Sequence, residues 1–337
     1  MLAATPLPTR PLGAAGPQVT TMGLGLAALG RPGYINLGHV TDLERNYDPI
    51  RMQAQAHAVC AAAWQAGVRY FDAARSYGRG EEFLGNWLRA SGLAPQAVVV
   101  GSKWGYTYTA NWRIEAEVHE VKEHTLAVLD RQWHESQANL GNYLQLYQIH
   151  SATLESGVLD RPEVLARLAD LRATGILIGL SVSGPRQAEV IQRAISLELE
   201  NRPLFRVVQA TWNLLEPSAG PALAEAAAAG CGVIIKEGVA NGRLTERNQE
   251  PGFAPQRAIL QAEATRLGCT LDALALAAAL AQPWVSTVLS GAATMAHLQA
   301  NLMALDVRWD AQAATTLASL AEPPVAYWGT RAAMPWN

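Results

Sequence analysis

The chain has 337 residues, 50% of them hydrophobic and 16% charged, with 28 glycines and 18 prolines; that excludes a disordered polypeptide and leaves room for one large α/β domain or two ordinary ones. The formal net charge of −3 offers no basic field to nucleic acid or to an anionic lipid surface. Three cysteines, Cys60, Cys231 and Cys269, are too few and too scattered for a disulfide framework or a CxxC metal site, and suit a reducing cytoplasm.

The first residues carry Pro6, Pro8 and Pro11 and no apolar targeting core, so a cytoplasmic protein is expected. Arg10, Leu12, Gly16 and Val19 read as a short hairpin fit to plug a barrel floor. From there, β-branched runs alternate with Ala/Leu-rich helical patterns. Strands are expected at 20–24, 68–72, 97–103, 143–150, 176–181, 205–210, 232–236 and 285–290. Helices are expected at 54–66, 81–90, 116–137, 161–173, 186–197, 221–229, 256–267, 271–280 and 294–305. Strands such as VVVGSK and VIIK are apolar almost throughout, which suits parallel strands covered on both faces. Eight β-then-α units predict a (β/α)8 TIM barrel, with an open doubly wound sheet as the structural alternative. No Pro/Gly/Ser linker divides the chain, so residues 1–337 read as one domain. The tail over 306–337, with Trp309, Trp328, Trp336, Pro323 and Pro324, reads as an irregular extension draped on the barrel. The longest apolar run, at 273–281, falls well short of the roughly 20 residues that span a bilayer.

Some motifs mislead. Residues 23–28, GLGLAA, imitate a dinucleotide fingerprint, but Gly30, Pro32 and Gly33 follow at once and no helix opens there. His119 and His124 imitate a zincin pair. Their spacing of five would splay them by about 140° on a helix, so a solvated helix face is the better account and no metal site is expected. P-loop, GxSxG and Tyr-x-x-x-Lys patterns are missing.

Barrel chemistry sits at the C-terminal ends of the strands. There the sequence presents Asp72 in RYFD, Tyr77 in ARSYGRG, Lys103 in VVVGSK and His150 in QIH. Taken singly, Asp72 is a turn cap, Tyr77 an exposed loop residue, Lys103 a surface charge and His150 a core histidine. Converging on one mouth, they form a tuned acid. A lysine ammonium favours phenolate and lowers the tyrosine pKa, a carboxylate orients the lysine, and a histidine hydrogen-bonds the substrate oxygen.

FDAARSYGRGEEFLG, VVVGSKWGY and LYQIHS resemble the aldo-keto reductase family, and the similarity runs from TRPLG to LSGAATMAHLQANL. The resemblance implies a (β/α)8 barrel, an extended nicotinamide cofactor without a Rossmann fold, and interconversion of a carbonyl and an alcohol. Tyr77 would be the general acid/base, Lys103 and Asp72 its tuning pair, and His150 the orienting group. On the cofactor side, Gln209 and Ser181 match groups that hold the nicotinamide amide. Ser290, Gly291 and Ala293 run into a helix start suited to a phosphate, Gly238 lies in a covering loop, and Asn301 matches an adenine contact.

Departures are equally plain. Val182 stands where the family carries Asn, and Lys236, which could instead reach a cofactor phosphate, stands where many members stack an aromatic ring. Between Ser290 and Asp306 there is no Arg or Lys, only His297, and members with Arg near Ala293 use it to grip the 2′-phosphate of NADP(H). NAD(H) is therefore open beside the family default, NADP(H). Aromatic loops around Tyr34, Tyr47, Trp104, Tyr106, Trp112 and Trp212 suggest a cleft for a sugar, an aromatic aldehyde or a vitamer ring, with Trp104 and Trp212 as substrate walls. The rival readings are a pyranose dehydrogenase oxidising with NAD and a nicotinamide-sensing regulatory subunit. Nothing in the charge or the helix faces selects a monomer or an assembly.

Overall fold

Eight short parallel strands close a barrel in the computed structural model, which describes residues 7–337. They are β1 (Met22–Gly25), β2 (Tyr70–Asp72), β3 (Val99–Trp104), β4 (Leu144–Ala152), β5 (Leu177–Val182), β6 (Val207–Thr211), β7 (Gly232–Lys236) and β8 (Thr287–Ser290). Each pairs with its neighbours in chain order, and β8 pairs with β1 to close the ring. The helices that follow are α1 (Pro49–Gln65), α2 (Gly80–Ala90), α3 (Leu126–Leu140), α4 (Pro162–Ala173), α5 (Gln187–Ile195), α6 (Gly220–Ala228), α7 (Ala254–Leu267), α8 (Leu271–Leu280) and α9 (Met295–Leu302). The expected TIM barrel is the fold found.

Local sequence explains the helix starts. Asp48 caps α1 by accepting the backbone N–H groups of Ile50 and Arg51, both at 3.0 Å, and Pro49 is preset for the first turn. Threonines 125, 270 and 294 cap α3, α8 and α9 in the same way. In α2, Phe83, Leu84, Trp87 and Leu88 share the buried face, while acidic residues occupy its first turn.

Two apolar regions result. The larger fills the space between barrel and helices. The smaller lies inside the barrel, where Tyr70, Val99, Leu146, Val207, Ile234 and Leu289 meet Leu12 and Val19 of the N-terminal hairpin, Thr9–Pro11 paired with Gln18–Thr20. The hairpin thus plugs the floor, as expected. Gly13 makes the close approach possible. Its φ is +81°, and a Cβ there would fall 2.7 Å from the backbone nitrogen of Gly232.

Two expectations fail. The stretch 116–137 is not one helix: Glu120–Lys122 pairs antiparallel with Tyr106–Tyr108, and α3 begins only after the Thr125 cap. The β-branched pair Val118 and Val121 and the polar run before them favour this ribbon over a helix. The tail is not irregular either. It forms α10 (Ala311–Leu317) and α11 (Pro324–Ala333), seated by buried Leu317, Tyr327 and Trp328.

Candidate active site

A cleft of about 370 Å³ opens at the C-terminal end of the barrel. At its foot stand Asp72 from β2, Tyr77 from the loop after it, His150 from β4 and Gln209 from β6. Lys103 from β3 lies directly beneath. It is 1% exposed, donates to Asp72 and to the Ala73 carbonyl at 3.0 Å, and reaches the Tyr77 hydroxyl at 3.4 Å. Asp72 is also satisfied by the Tyr70 hydroxyl at 3.0 Å and by Gln209 and Gln148 amides at 2.9 and 3.4 Å. That many donors fix the buried carboxylate in position.

The loop carrying Tyr77 is anchored from outside the barrel. Arg75 donates to Glu81 and to Glu135, and its own backbone N–H bonds the Lys103 carbonyl at 3.0 Å. Glu81 is buried and accepts from Ser102 and Ser136, both at 2.6 Å, which ties α2 to β3 and α3. Gly30 lets the first barrel loop pass beneath Tyr77, since a Cβ there would sit 2.2 Å from the Tyr77 carbonyl oxygen.

His150 owes its aim to a defect in β4. The register shifts between Ile149 and Ala152, and Ser151 takes a φ of +49°. The Ser181 hydroxyl accepts the Ser151 N–H at 2.8 Å and holds that kink. The His150 ring meets the Tyr77 ring edge-on at 5.6 Å between centroids, and its Nδ1 lies 3.4 Å from the Ser76 hydroxyl. Burial, then the charges of Lys103, Lys236 and Arg31, push its pKa well below the usual histidine range, so the imidazole is neutral. Tyr77 moves the other way. Burial first and Asp72 next raise its pKa, with Arg31 opposing them. The expected lysine-driven lowering is therefore outweighed in this structure, because desolvation of a phenolate is the larger effect.

From this foot the cleft runs past Gly238, Ser290, Gly291 and Ala292 to His297 and Asn301. Asn301 donates to the Ser290 hydroxyl at 2.8 Å. Gly291 faces open space: a Cβ placed there would meet no atom within 4 Å. Two buried acceptors along the cleft, Gln209 Oε1 and Asn241 Oδ1, have no partner. An elongated polar ligand with amide and hydroxyl donors would satisfy them. At the far end Arg247 makes a two-pronged ion pair with Asp42, 2.8 Å for one prong, and contacts His297 Nε2 at 2.8 Å. Sequence reasoning missed this cation because it comes from the loop after β7 rather than the loop after β8.

Several expected residues lie elsewhere. Ser181 and Ala293 do not line the cleft. Ser181 supports the β4 kink, while the Ala293 carbonyl accepts from Gln55 at 2.6 Å. Trp104 is wholly buried on the helix side of β3 and meets His124 edge-on, so it is not a substrate wall. Trp212 packs edge-on against Trp284 and likewise misses the cleft. The cleft walls are instead Arg31, Tyr34, Tyr106, Glu120, Arg331 and Trp336. His119 and His124 share no helix face either: His119 stacks on Trp336 at 4.2 Å, and buried His124 contacts the His150 carbonyl at 2.9 Å. Lys236 lines the cleft, donates to the Thr211 hydroxyl at 2.8 Å, and has its pKa lowered to about 8 by burial despite Glu237. Burial pushes Glu237 up, but Arg331 and Lys236 overcome it and hold its pKa at about 2.

The aldo/keto reductase family profile matches residues 22–322, and the chain belongs to that family, whose members are oxidoreductases acting on carbonyl and alcohol groups. Over 216 residues it is 28% identical to the pyridoxal 4-dehydrogenase of Microbacterium luteolum, covering 55% of this chain and 58% of that enzyme. The chain thus spans less than two thirds of the length of this curated relative. Its fold superposes on aldo-keto reductase AKR11C1 from Bacillus halodurans, in holo form, with a TM-score of 0.73 at 20% identity over 95% of this chain and 98% of that one. A Pseudomonas aeruginosa protein described as an aldo-keto reductase gives 0.62 at 24% identity over 88% and 94%.

Proposed function

We propose that the chain interconverts a small carbonyl compound and its alcohol, using a nicotinamide dinucleotide held along the cleft. The observation that carries this reading is the Tyr77 hydroxyl at the cleft foot, 3.4 Å from the Lys103 ammonium that Asp72 fixes, with neutral His150 beside it. The dinucleotide, when bound, supplies or accepts the hydride.

The chain's own groups handle the proton. In reduction the substrate carbonyl oxygen lies between Tyr77 and His150. The tautomer with its proton on Nε2 leaves Nδ1 free to accept from the Ser76 hydroxyl, 3.4 Å away, and lets Nε2 donate to that oxygen. The Tyr77 hydroxyl gives up its proton to the same oxygen, and Lys103 stabilises the phenolate left behind. In oxidation the phenolate takes the alcohol proton. Gln209 Oε1 has no partner and would accept from the nicotinamide amide, while Gly291 and Asn301 would line the adenosine half. Asp42 engages both prongs of Arg247, the cation at the far end of the cleft, and so weakens what that guanidinium can offer a 2′-phosphate, which favours NAD(H) over NADP(H).

For substrate, aromatic walls with buried cations suit a cyclic, oxygen-bearing carbonyl. The pyridoxal oxidised by the Microbacterium relative is the first compound to try, and a pyranose the second. The test is fluorescence titration with NADH and NADPH, then NAD(P)-dependent oxidation of both compounds at the hydroxyl of their cyclic hemiacetals by the wild type and Tyr77→Phe. Retained cofactor binding with turnover reduced by about 10²- to 10⁴-fold supports the reading. Turnover unchanged in Tyr77→Phe refutes it, and binding without any wild-type turnover favours a nicotinamide-sensing subunit.

A further inference from the structure

We propose that Arg31, seated against the face of Tyr77, is a positioning residue that sets the pH at which Tyr77 turns from proton donor to proton acceptor. The proposal rests on Tyr77 acting as the acid/base.

Arg31 follows β1, and its side chain is packed into the cleft wall with only 3% of the residue exposed. Its guanidinium carbon lies 5.4 Å from the centre of the Tyr77 ring, 5.6 Å from that of Tyr34 and 4.7 Å from that of Trp336. One terminal nitrogen donates to the carbonyl of Ser76, the residue before Tyr77, and to Glu120, both at 2.8 Å. Its Nε is buried without a partner. The guanidinium therefore grips the backbone of the Tyr77 loop and lays a permanent positive charge on the phenol.

The groups facing Tyr77 come from every side of the mouth. Asp72 and Lys103 lie below on β2 and β3, and His150 stands beside it on β4. Glu120 approaches from the Tyr106–Tyr108 ribbon, and Lys236 and Glu237 from β7. Lys103 is bound to Asp72, whose charge raises the Tyr77 pKa, so the ammonium's help to the phenolate is compensated. Glu237 is engaged by Arg331 and Lys236. Glu120 is the partner of Arg31, but its side chain is 22% exposed, and water screens its charge more than the buried guanidinium's. Arg31 is thus the cation whose charge reaches Tyr77 least compensated. It favours the phenolate, which oxidation needs, over the phenol, which reduction needs.

The test uses the full chain with 4-nitrobenzaldehyde and NADH for reduction, and 4-nitrobenzyl alcohol and NAD for oxidation, from about pH 6 to about pH 10. Arg31→Met is expected to move the alkaline rise of oxidation to higher pH and to cut the turnover number for oxidation near pH 8 by about tenfold or more. Arg31→Lys, which keeps the charge, should recover part of the loss. Glu120→Gln, at a partly exposed side chain, should shift the rise to lower pH. Opposite shifts from Arg31→Met and Glu120→Gln are the signature, since a purely structural role moves neither profile. Equal losses in both directions with an unmoved profile, or shifts of the same sign, overturn the proposal. If Arg31→Met fails to fold, the direction of the Glu120→Gln shift decides alone. Wild type and Tyr77→Phe with equal rates would instead sink the reading of Tyr77 itself.

Discussion

Replacing Lys103 by Met removes one charge of a buried pair while keeping the length of the stem. Asp72, nearly inaccessible to water, would then face the core with only neutral donors, the Tyr70 hydroxyl and the Gln209 and Gln148 amides. Breaking a buried pair on one side costs about 3–5 kcal/mol, and three surviving neutral bonds place this case near the lower end, at about 3 kcal/mol. Asp72→Asn leaves Lys103 with neutral acceptors only, the new amide oxygen, the Ala73 carbonyl and Tyr77, and should cost about the same. The double variant buries no charge, so its loss should be about 2 kcal/mol rather than the sum of about 6. Urea unfolding of the four proteins reads this directly, and each single variant should also lose more than about a hundredfold in turnover, because the phenolate of Tyr77 loses its fixed ammonium. A double variant whose loss equals the sum of the singles within about 0.5 kcal/mol would refute the argument, since the two side chains would then be acting independently.

Three further outcomes are expected. Because burial and Asp72 raise the Tyr77 pKa, its acid form persists through neutrality; reduction should stay level through neutral pH and fall only in strong alkali, while oxidation rises steadily with pH, as parallel pH–rate profiles will show. Asp42→Asn removes the anion beside Arg247 and should shift the ratio of NADPH to NADH affinity toward NADPH by about tenfold, read by fluorescence titration. Gly30→Ala pushes a methyl into the Tyr77 carbonyl and should lower kcat by about tenfold or more, with the dissociation constant of NADH unchanged.

Much of this is legible in the sequence because barrel strands announce themselves twice. Runs such as VVVGSK and VIIK are apolar on both faces, and their last residue is polar where it enters the mouth. That pattern exposes Asp72, Lys103 and His150 together. What stays hidden depends on directions that a period cannot carry. Trp104 follows Lys103 in the chain, but successive strand residues point to opposite sides, so the tryptophan faces the helices while the lysine faces the barrel. Arg31 and Arg247 belong to loops with no periodicity, and their partners lie far away in the chain, at Glu120 and Asp42. The tail hides its helices because Pro323 and Pro324 look like helix breakers, yet Pro324 opens α11 at the position where proline is tolerated.

The donors around Asp72 come from well-separated parts of the chain. Tyr70 is two residues away, Lys103 thirty-one, Gln148 seventy-six and Gln209 one hundred and thirty-seven. No half-closed barrel can assemble that set, since Gln209 of β6 reaches Asp72 of β2 only when distant strands have joined. The chemistry is therefore coupled to the last stage of folding. In a refolding experiment, recovery of turnover should trail the return of helical circular dichroism, and an opened barrel should be silent rather than partly active.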